Sequence, residues 1–352
     1  MNEEMDMSWT RRQMLQLGGA VVAAEALPRF AGADVAKGGV IRPKRLKEGD
    51  LVGLINPAGA TSHPDSAEVA REALATLGLR AVFGEHLFDR YGYLAGKDED
   101  RAADINTFFA DPEVDAVLAL RGGWGCNRLL PYLDYDLIGK NPKILMGMSD
   151  ITGLLLAVHT KTGLVDFYGP TAGNWSEFTT DEVKRVLFDA DAVVMSNMVE
   201  STDRQVPTEN RVITINPGKA RGRLLGGNLS VLVALGGSEY LPDFRGSILF
   251  LEDVHEEVYR VDRMLTQLAL AGVLAQVAGF VFGRCSDCEP GQSYGSLTLE
   301  EVLTDHFGPL GIPGWYGSMI GHIKDKFTVP LGIDAEIDAD AGTIKLLSPA
   351  VV

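Results

Sequence analysis

The sequence predicts an α/β protein with a mostly parallel sheet covered by helices on both faces, divided into two domains. Two observations carry this. From Leu51 onward, short apolar runs alternate with segments of helical periodicity at the interval expected of strand–helix–strand units. The chain also has 352 residues, long enough for two separate cores. Hydrophobic residues make up 46% and charged residues 23%, the balance of a globular chain and not a disordered one. The formal net charge of −16 disfavours a phosphate backbone as partner, so no nucleic acid is expected.

Before the first strand comes a leader. Ser8-Trp-Thr-Arg11-Arg12 precedes an apolar stretch from Met14 to Ala24, too short to span a bilayer, and Ala31-Gly-Ala33 offers a small-x-small cleavage pattern. This resembles a twin-arginine export signal over residues 1–33, with the twin-arginine machinery as partner and a periplasmic or otherwise exported location. If the signal is not used, the location is cytoplasmic.

Leu51 to Ile55 reads as a buried strand. Pro64 to Leu77 reads as a helix with Val69, Leu74 and Leu77 inward and Gly78 ending it. Arg80 to Phe83 is a second strand. Asp98 to Ala110 is a helix burying Ile105, Phe108 and Phe109, and Val114 to Leu120 is a third strand. Asp181 to Phe188 reads as a helix, and the polar stretch 190–207 as a linker between an N-terminal domain, 34–189, and a C-terminal domain, 208–352. The second half shows a strand at Val212 to Ile215, a helix at Leu229 to Leu235, a strand from Gly246 to Asp253, a helix around Met264, and a strand at Val277 to Phe282. It closes with a hairpin from Ile333 to Leu347 that turns at Asp338 to Gly342.

Chemistry centres on Pro142-Lys-Ile-Leu-Met-Gly-Met-Ser149-Asp-Ile-Thr152. A short apolar strand, a sharp turn and a helix place Ser149 where its hydroxyl projects and the helix's first amides are free donors. That is the layout of a nucleophile elbow, although Ile151 stands where a second glycine is usual. The bland alternative is a helix cap. A hydroxyl nucleophile needs a base and a group that orients the base. Of the six histidines, His159 lies in an apolar helix and reads as packed. His255 fails the zincin pattern because Tyr259 occupies the second ligand position. His322 follows Gly321 in a loop between apolar stretches, where an imidazole can face a cleft. Glu252 closes a buried strand and needs a partner there, with Asp253 as its rival on the opposite face. No phosphate loop, dinucleotide fingerprint or metal-ligand pattern occurs, so neither cofactor nor metal is expected. Cys285 and Cys288 form a C-x-x-C pair, either a disulfide or a redox pair according to compartment, and Cys126 reads as a buried thiol.

Leu118-Ala-Leu-Arg-Gly-Gly-Trp-Gly125, Arg128 to Asp134, Gly147-Met-Ser-Asp-Ile-Thr152, Gly226-Gly-Asn-Leu-Ser230, Phe250-Leu-Glu-Asp-Val254, Tyr259 to Leu265 and Gly321-His322, in that order, resemble the LD-carboxypeptidase family of serine peptidases. The resemblance covers about Leu46 to Leu347. It implies an N-terminal α/β sandwich and a smaller mixed β/α C-terminal domain, with the site between them and a homodimer as the assembly. It further implies Ser149 as nucleophile, His322 as base and Glu252 as orienting acid, with the amides of Asp150 and Gly122 as oxyanion donors. The substrate implied is a small peptide or muropeptide, cut at the L,D bond to terminal D-alanine of a peptidoglycan stem tetrapeptide. Tyr168-Gly169-Pro170 looks closer to the family's microcin C self-immunity branch, whereas the Leu251-Glu-Asp-Val254 and Tyr259 to Leu265 blocks look closer to its muropeptide branch. Two alternatives follow: an amide hydrolase acting on a microcin C-like peptide-nucleotide, and a non-catalytic protein that binds cell-wall peptides.

Overall fold

A computed structural model of the chain describes residues 39–61, 63–199, 206, 210–291 and 295–352. The leader read at 1–33 lies outside the described residues. In order, the elements of the first half are β1 (Leu51–Ile55), α1 (Asp65–Thr76), β2 (Arg80–Phe83), α2 (Asp98–Ala110), β3 (Val114–Ala119), α3 (Cys126–Leu129), α4 (Tyr135–Lys140), β4 (Ile144–Gly147), α5 (Thr152–Thr162), β5 (Asp166–Tyr168) and α6 (Glu177–Leu187). The second half contributes β6 (Val194–Ser196), β7 (Ile213–Asn216), β8 (Lys219–Asn228), α7 (Leu229–Ala234), β9 (Ile248–Val254), α8 (Val258–Leu270), β10 (Gly279–Ser286), α9 (Leu299–Phe307), β11 (Gly314–Tyr316), β12 (Val329–Leu331), β13 (Asp334–Asp338) and β14 (Thr343–Leu346).

The fold is mixed α/β with two sheets. The first has six strands in the order β12-β5-β4-β3-β1-β2. β1 to β5 run parallel, as continuous apolar runs such as Val114–Ala119 require when both faces are covered. The sixth strand, β12, comes from far down the chain and pairs antiparallel with β5, Val329 opposite Tyr168 and Leu331 opposite Asp166. Sequence periodicity gave no sign of this return, because a three-residue strand has no readable period. The second sheet has eight strands, β6-β14-β13-β8-β9-β10-β11-β7, with a parallel centre and antiparallel flanks. Strand β6 lies inside the stretch 190–207 read as a linker. Only Met195 of its three residues turns inward, too little pattern to mark a strand.

Helix α5 is buried at every position except Lys161, so it has no solvent face and lies between the two sheets. Its Thr160 hydroxyl donates to the Tyr240 carbonyl (3.2 Å), and the Asn228 amide donates to Thr152 Oγ1 (2.9 Å), tying the halves together. On α1 the inward residues are Ala67, Ala70 and Leu74. Val69, expected inward, is 45% exposed, because small alanines let the helix sit close to the sheet on a neighbouring face. Among the described residues no helix is long and apolar enough to cross a membrane.

Candidate active site

The carboxyl ends of β3, β4 and β5 from the first sheet meet those of β8 and β9 from the second, the position at which parallel sheets present ligand sites. Ser149 opens a tight turn, Ser149–Ile151, between β4 and α5 with φ +63°, a left-handed conformation that a non-glycine residue adopts only at a cost of about 1–2 kcal/mol. Two contacts hold it there. The Ser149 amide donates to the Tyr168 hydroxyl (3.0 Å), and the Ser149 carbonyl accepts from Thr152 Oγ1 (2.7 Å). The sharp turn read from sequence between strand and helix is present, with Ser149 at its left-handed first position.

Ser149 and His322 face one cavity of about 420 Å³, together with Arg121, Gly122, Met148 and Thr171. His322 Nδ1 lies 2.8 Å from Glu252 Oε2. A carboxylate can only accept, so Nδ1 donates here, and in the neutral imidazole that leaves the lone pair on Nε2. Gly321, at φ +128°, makes this approach possible: a Cβ there would lie 2.8 Å from the same carboxylate oxygen. The His322 carbonyl is in turn held by Ser286 Oγ (2.9 Å).

Glu252 is fully buried on β9 and surrounded by donors: His322 on Oε2, with the Tyr168 hydroxyl (2.6 Å) and Asn228 Nδ2 (3.0 Å) on Oε1. This is how a buried carboxylate is satisfied. The rival, Asp253, is engaged elsewhere. Its Oδ2 accepts from the Ser230 amide (2.9 Å) at the start of α7, and its Oδ1 accepts from Asn228 Nδ2 (3.0 Å) and its own neighbour Val254 (2.9 Å). Burial pushes its pKa up to about 6. One residue, Asn228, thus reaches both acids.

The oxyanion candidates lie on either side of the serine. Gly122 presses against it so closely that a Cβ would sit 2.9 Å from Ser149 Cβ and 3.2 Å from Oγ. Asp150 follows Ser149 in the turn, and its side chain has a separate task. Oδ2 accepts from the Cys126 amide (2.7 Å), fastening the elbow to the start of α3, and burial pushes this acid up to about 6 as well. Arg101 secures the same loop: its guanidinium is buried and donates to the carbonyls of Gly125 (3.0 Å) and Pro57 and to Asp98.

The remaining histidines stand apart from this cavity, except His63 on its rim. His159 is fully buried, its Nδ1 donating to the Leu164 carbonyl (2.9 Å), and burial lowers its pKa to about 4. His255 is exposed, 3.5 Å from Asp287, and His306 pairs with Asp262 (2.7 Å). Among the described residues, His86, Asp89 and Asp100 bring three ligand-type atoms within 4.8 Å of one another, but none of them lines the Ser149 cavity. Cys285 and Cys288 form a disulfide, and Cys126 is a free buried thiol. Sequence reasoning missed the roles of Tyr168, Asn228 and Arg101. A buried polar residue at a strand end or inside an apolar helix face was the available signal, because each such group needs a partner.

Comparison with known proteins identifies the family. Residues 52–169 match the LD-carboxypeptidase N-terminal domain and residues 221–337 the LD-carboxypeptidase C-terminal domain. The chain is 39% identical over 298 residues to the probable murein peptide carboxypeptidase of Bacillus subtilis strain 168, covering 84% of this chain and 91% of that protein. Among solved structures, the microcin C7 self-immunity protein MccF in complex with aspartyl sulfamoyl adenosine aligns with a TM-score of 0.78 at 28% identity, covering 89% of this chain and 100% of that one. The muramoyltetrapeptide carboxypeptidase from Oxalobacter formigenes aligns with a TM-score of 0.73 at 30% identity, covering 84% and 97%. With both domain models matched in order, and relatives similar over most of its length, the chain belongs to the LD-carboxypeptidase family and is an enzyme of its peptidase class.

Proposed function

We propose that the protein is a serine carboxypeptidase that hydrolyses the L,D bond to the terminal D-alanine of peptidoglycan stem tetrapeptides. The observation that carries this is His322, bonded through Nδ1 to buried Glu252 at 2.8 Å, facing the same cavity as Ser149 on its strained turn. Ser149 Oγ attacks the scissile carbonyl carbon while His322 Nε2 takes its proton. The amides of Gly122 and Asp150 receive the oxyanion. His322 then returns the proton to the leaving amine of D-alanine, and water releases the tripeptide by the reverse sequence. Glu252 holds the imidazole in the required tautomer.

The test is incubation with muropeptide tetrapeptide, reading tripeptide and D-alanine by mass spectrometry. Ser149→Ala should lower turnover by roughly 10⁴-fold or more with little change in Tm. An active variant would refute the nucleophile, and an unfolded one would return Ser149 to a structural role. A second reading, hydrolysis of an amide in a peptide-nucleotide, is supported by the likeness to the MccF complex and by Tyr168-Gly169-Pro170. Turnover of acyl-adenylate conjugates, with none of any tetrapeptide, would favour it.

We also place the protein outside the cytoplasm, through a leader at 1–33 read by the twin-arginine machinery, and as a homodimer. The Cys285–Cys288 disulfide supports the first, since such bonds persist in oxidising compartments. Fractionation of cells making the full chain, with and without Arg11→Lys and Arg12→Lys, tests export, and light scattering tests the dimer.

A further inference from the structure

Beside the Ser149 cavity lies a second one of about 470 Å³, lined by Thr171, Trp175, Ser176, Thr179, Lys324 and Lys326. Thr171 lines both, so the two spaces adjoin. The segment carrying the lysines is pinned to α6: Thr179 Oγ1 donates to the Lys324 carbonyl (3.2 Å) and accepts from the Lys326 amide (3.1 Å). From this anchored backbone Lys326 runs inward until Nζ lies 3.7 Å from the sulfur of Met148, the residue preceding Ser149.

A thioether is a weak acceptor and carries no charge. Among the described residues no carboxylate lies within ion-pair distance of Lys326 Nζ, although the side chain is partly buried. Burial accordingly lowers its pKa, with Glu252 and Asp325 opposing the shift from farther off. An ammonium in this position costs free energy until an anion arrives beside it.

We propose that Lys326 is the receptor for the free α-carboxylate of the residue being removed, so that the cavity beside Ser149 is the leaving-residue pocket. The inference rests on the carboxypeptidase reading and deepens it. It gives a physical reason for cutting only at a chain end. A peptide that continued past the leaving residue would bring a neutral amide to Lys326, leaving the ammonium without its counterion. His322 lies four positions before Lys326 on the same segment, so the group that protonates the leaving amine and the group that grips the leaving carboxylate move together.

Calorimetry on the Ser149→Ala protein separates this subsite from the reaction. A tetrapeptide ending in free D-alanine should bind about 10- to 100-fold tighter than the same peptide ending in D-alaninamide, the range expected of one charge-assisted hydrogen bond. Lys326→Met, which keeps the apolar stem, should erase that difference, and Lys326→Arg should keep most of it. Equal binding of acid and amide with Lys326 present, or a preference that survives Lys326→Met, overturns the proposal. Absence of hydrolysis of either peptide by the protein with Ser149 intact would overturn the carboxypeptidase reading instead, while the calorimetric comparison still decides the subsite.

Discussion

Tyr168→Phe removes one oxygen that serves two domains. The hydroxyl donates to Glu252 Oε1 at 2.6 Å and accepts from the Ser149 amide at 3.0 Å, and the ring is 2% exposed, so water cannot replace it freely. The lost bond to a carboxylate is worth about 1.5–3 kcal/mol, and the buried N–H left without a partner costs about 1–3 kcal/mol. The sum, about 2.5–6 kcal/mol, should lower Tm by roughly 3–8 °C in a chain of 352 residues. The larger consequence is for catalysis. The same contact holds Ser149 at φ +63°, and a turn free to relax shifts Oγ within the cavity it shares with His322. Misplacement by about 1 Å is enough for a loss of about 10²-fold in rate. Tyr168 does not line the Ser149 cavity, so KM should change little while kcat falls about 10- to 100-fold. Initial rates of D-alanine release across a substrate series, with urea unfolding of the same samples, measure both. A kcat within twofold of the parent, with Tm unchanged, would show that the bridge positions nothing. A rise in KM at constant kcat would mean that Tyr168 touches substrate.

Gly122→Ala would put a methyl 2.9 Å from Ser149 Cβ, so the elbow must shift: steady-state kinetics should show kcat down by about 10²-fold or more, with a loss of about 1–3 kcal/mol of stability in urea unfolding. His159 has a folded pKa near 4 against 6.5 for the free group, so its contribution to stability is complete above pH 6.5 and is lost as pH falls toward 4. His159→Gln should therefore remove up to about 3 kcal/mol of the acid-side loss between pH 7 and 4, read by urea denaturation. Asp253, raised to about 6 by burial, carries the opposite sign: its contribution is complete below pH 3.8 and declines as pH rises through 6. Asp253→Asn should remove this pH-dependent decline, up to about 3 kcal/mol over that window, in the same assay, while costing a pH-independent amount because its NH2 replaces one of the two accepting oxygens.

What the sequence determined by itself was local. The apolar run Ile144–Gly147 and the helix that follows fix the elbow, because strand, turn and helix are each specified by residues a few positions apart. The helix of residues 98–110 and the closing hairpin were legible for the same reason. The residues of the proposed triad could be named in order from their blocks, but not their contacts. Glu252 and His322 are 70 positions apart, and Tyr168 and Glu252 are 84 apart. Tertiary structure alone decided that Glu252 and not Asp253 meets the imidazole, that Tyr168 and Asn228 share the carboxylate, and that β12 returns to the first sheet beside the strand carrying Tyr168. A buried acid states only that it needs donors. Which donors arrive depends on the packing of two sheets around one helix, and no short stretch of chain encodes that.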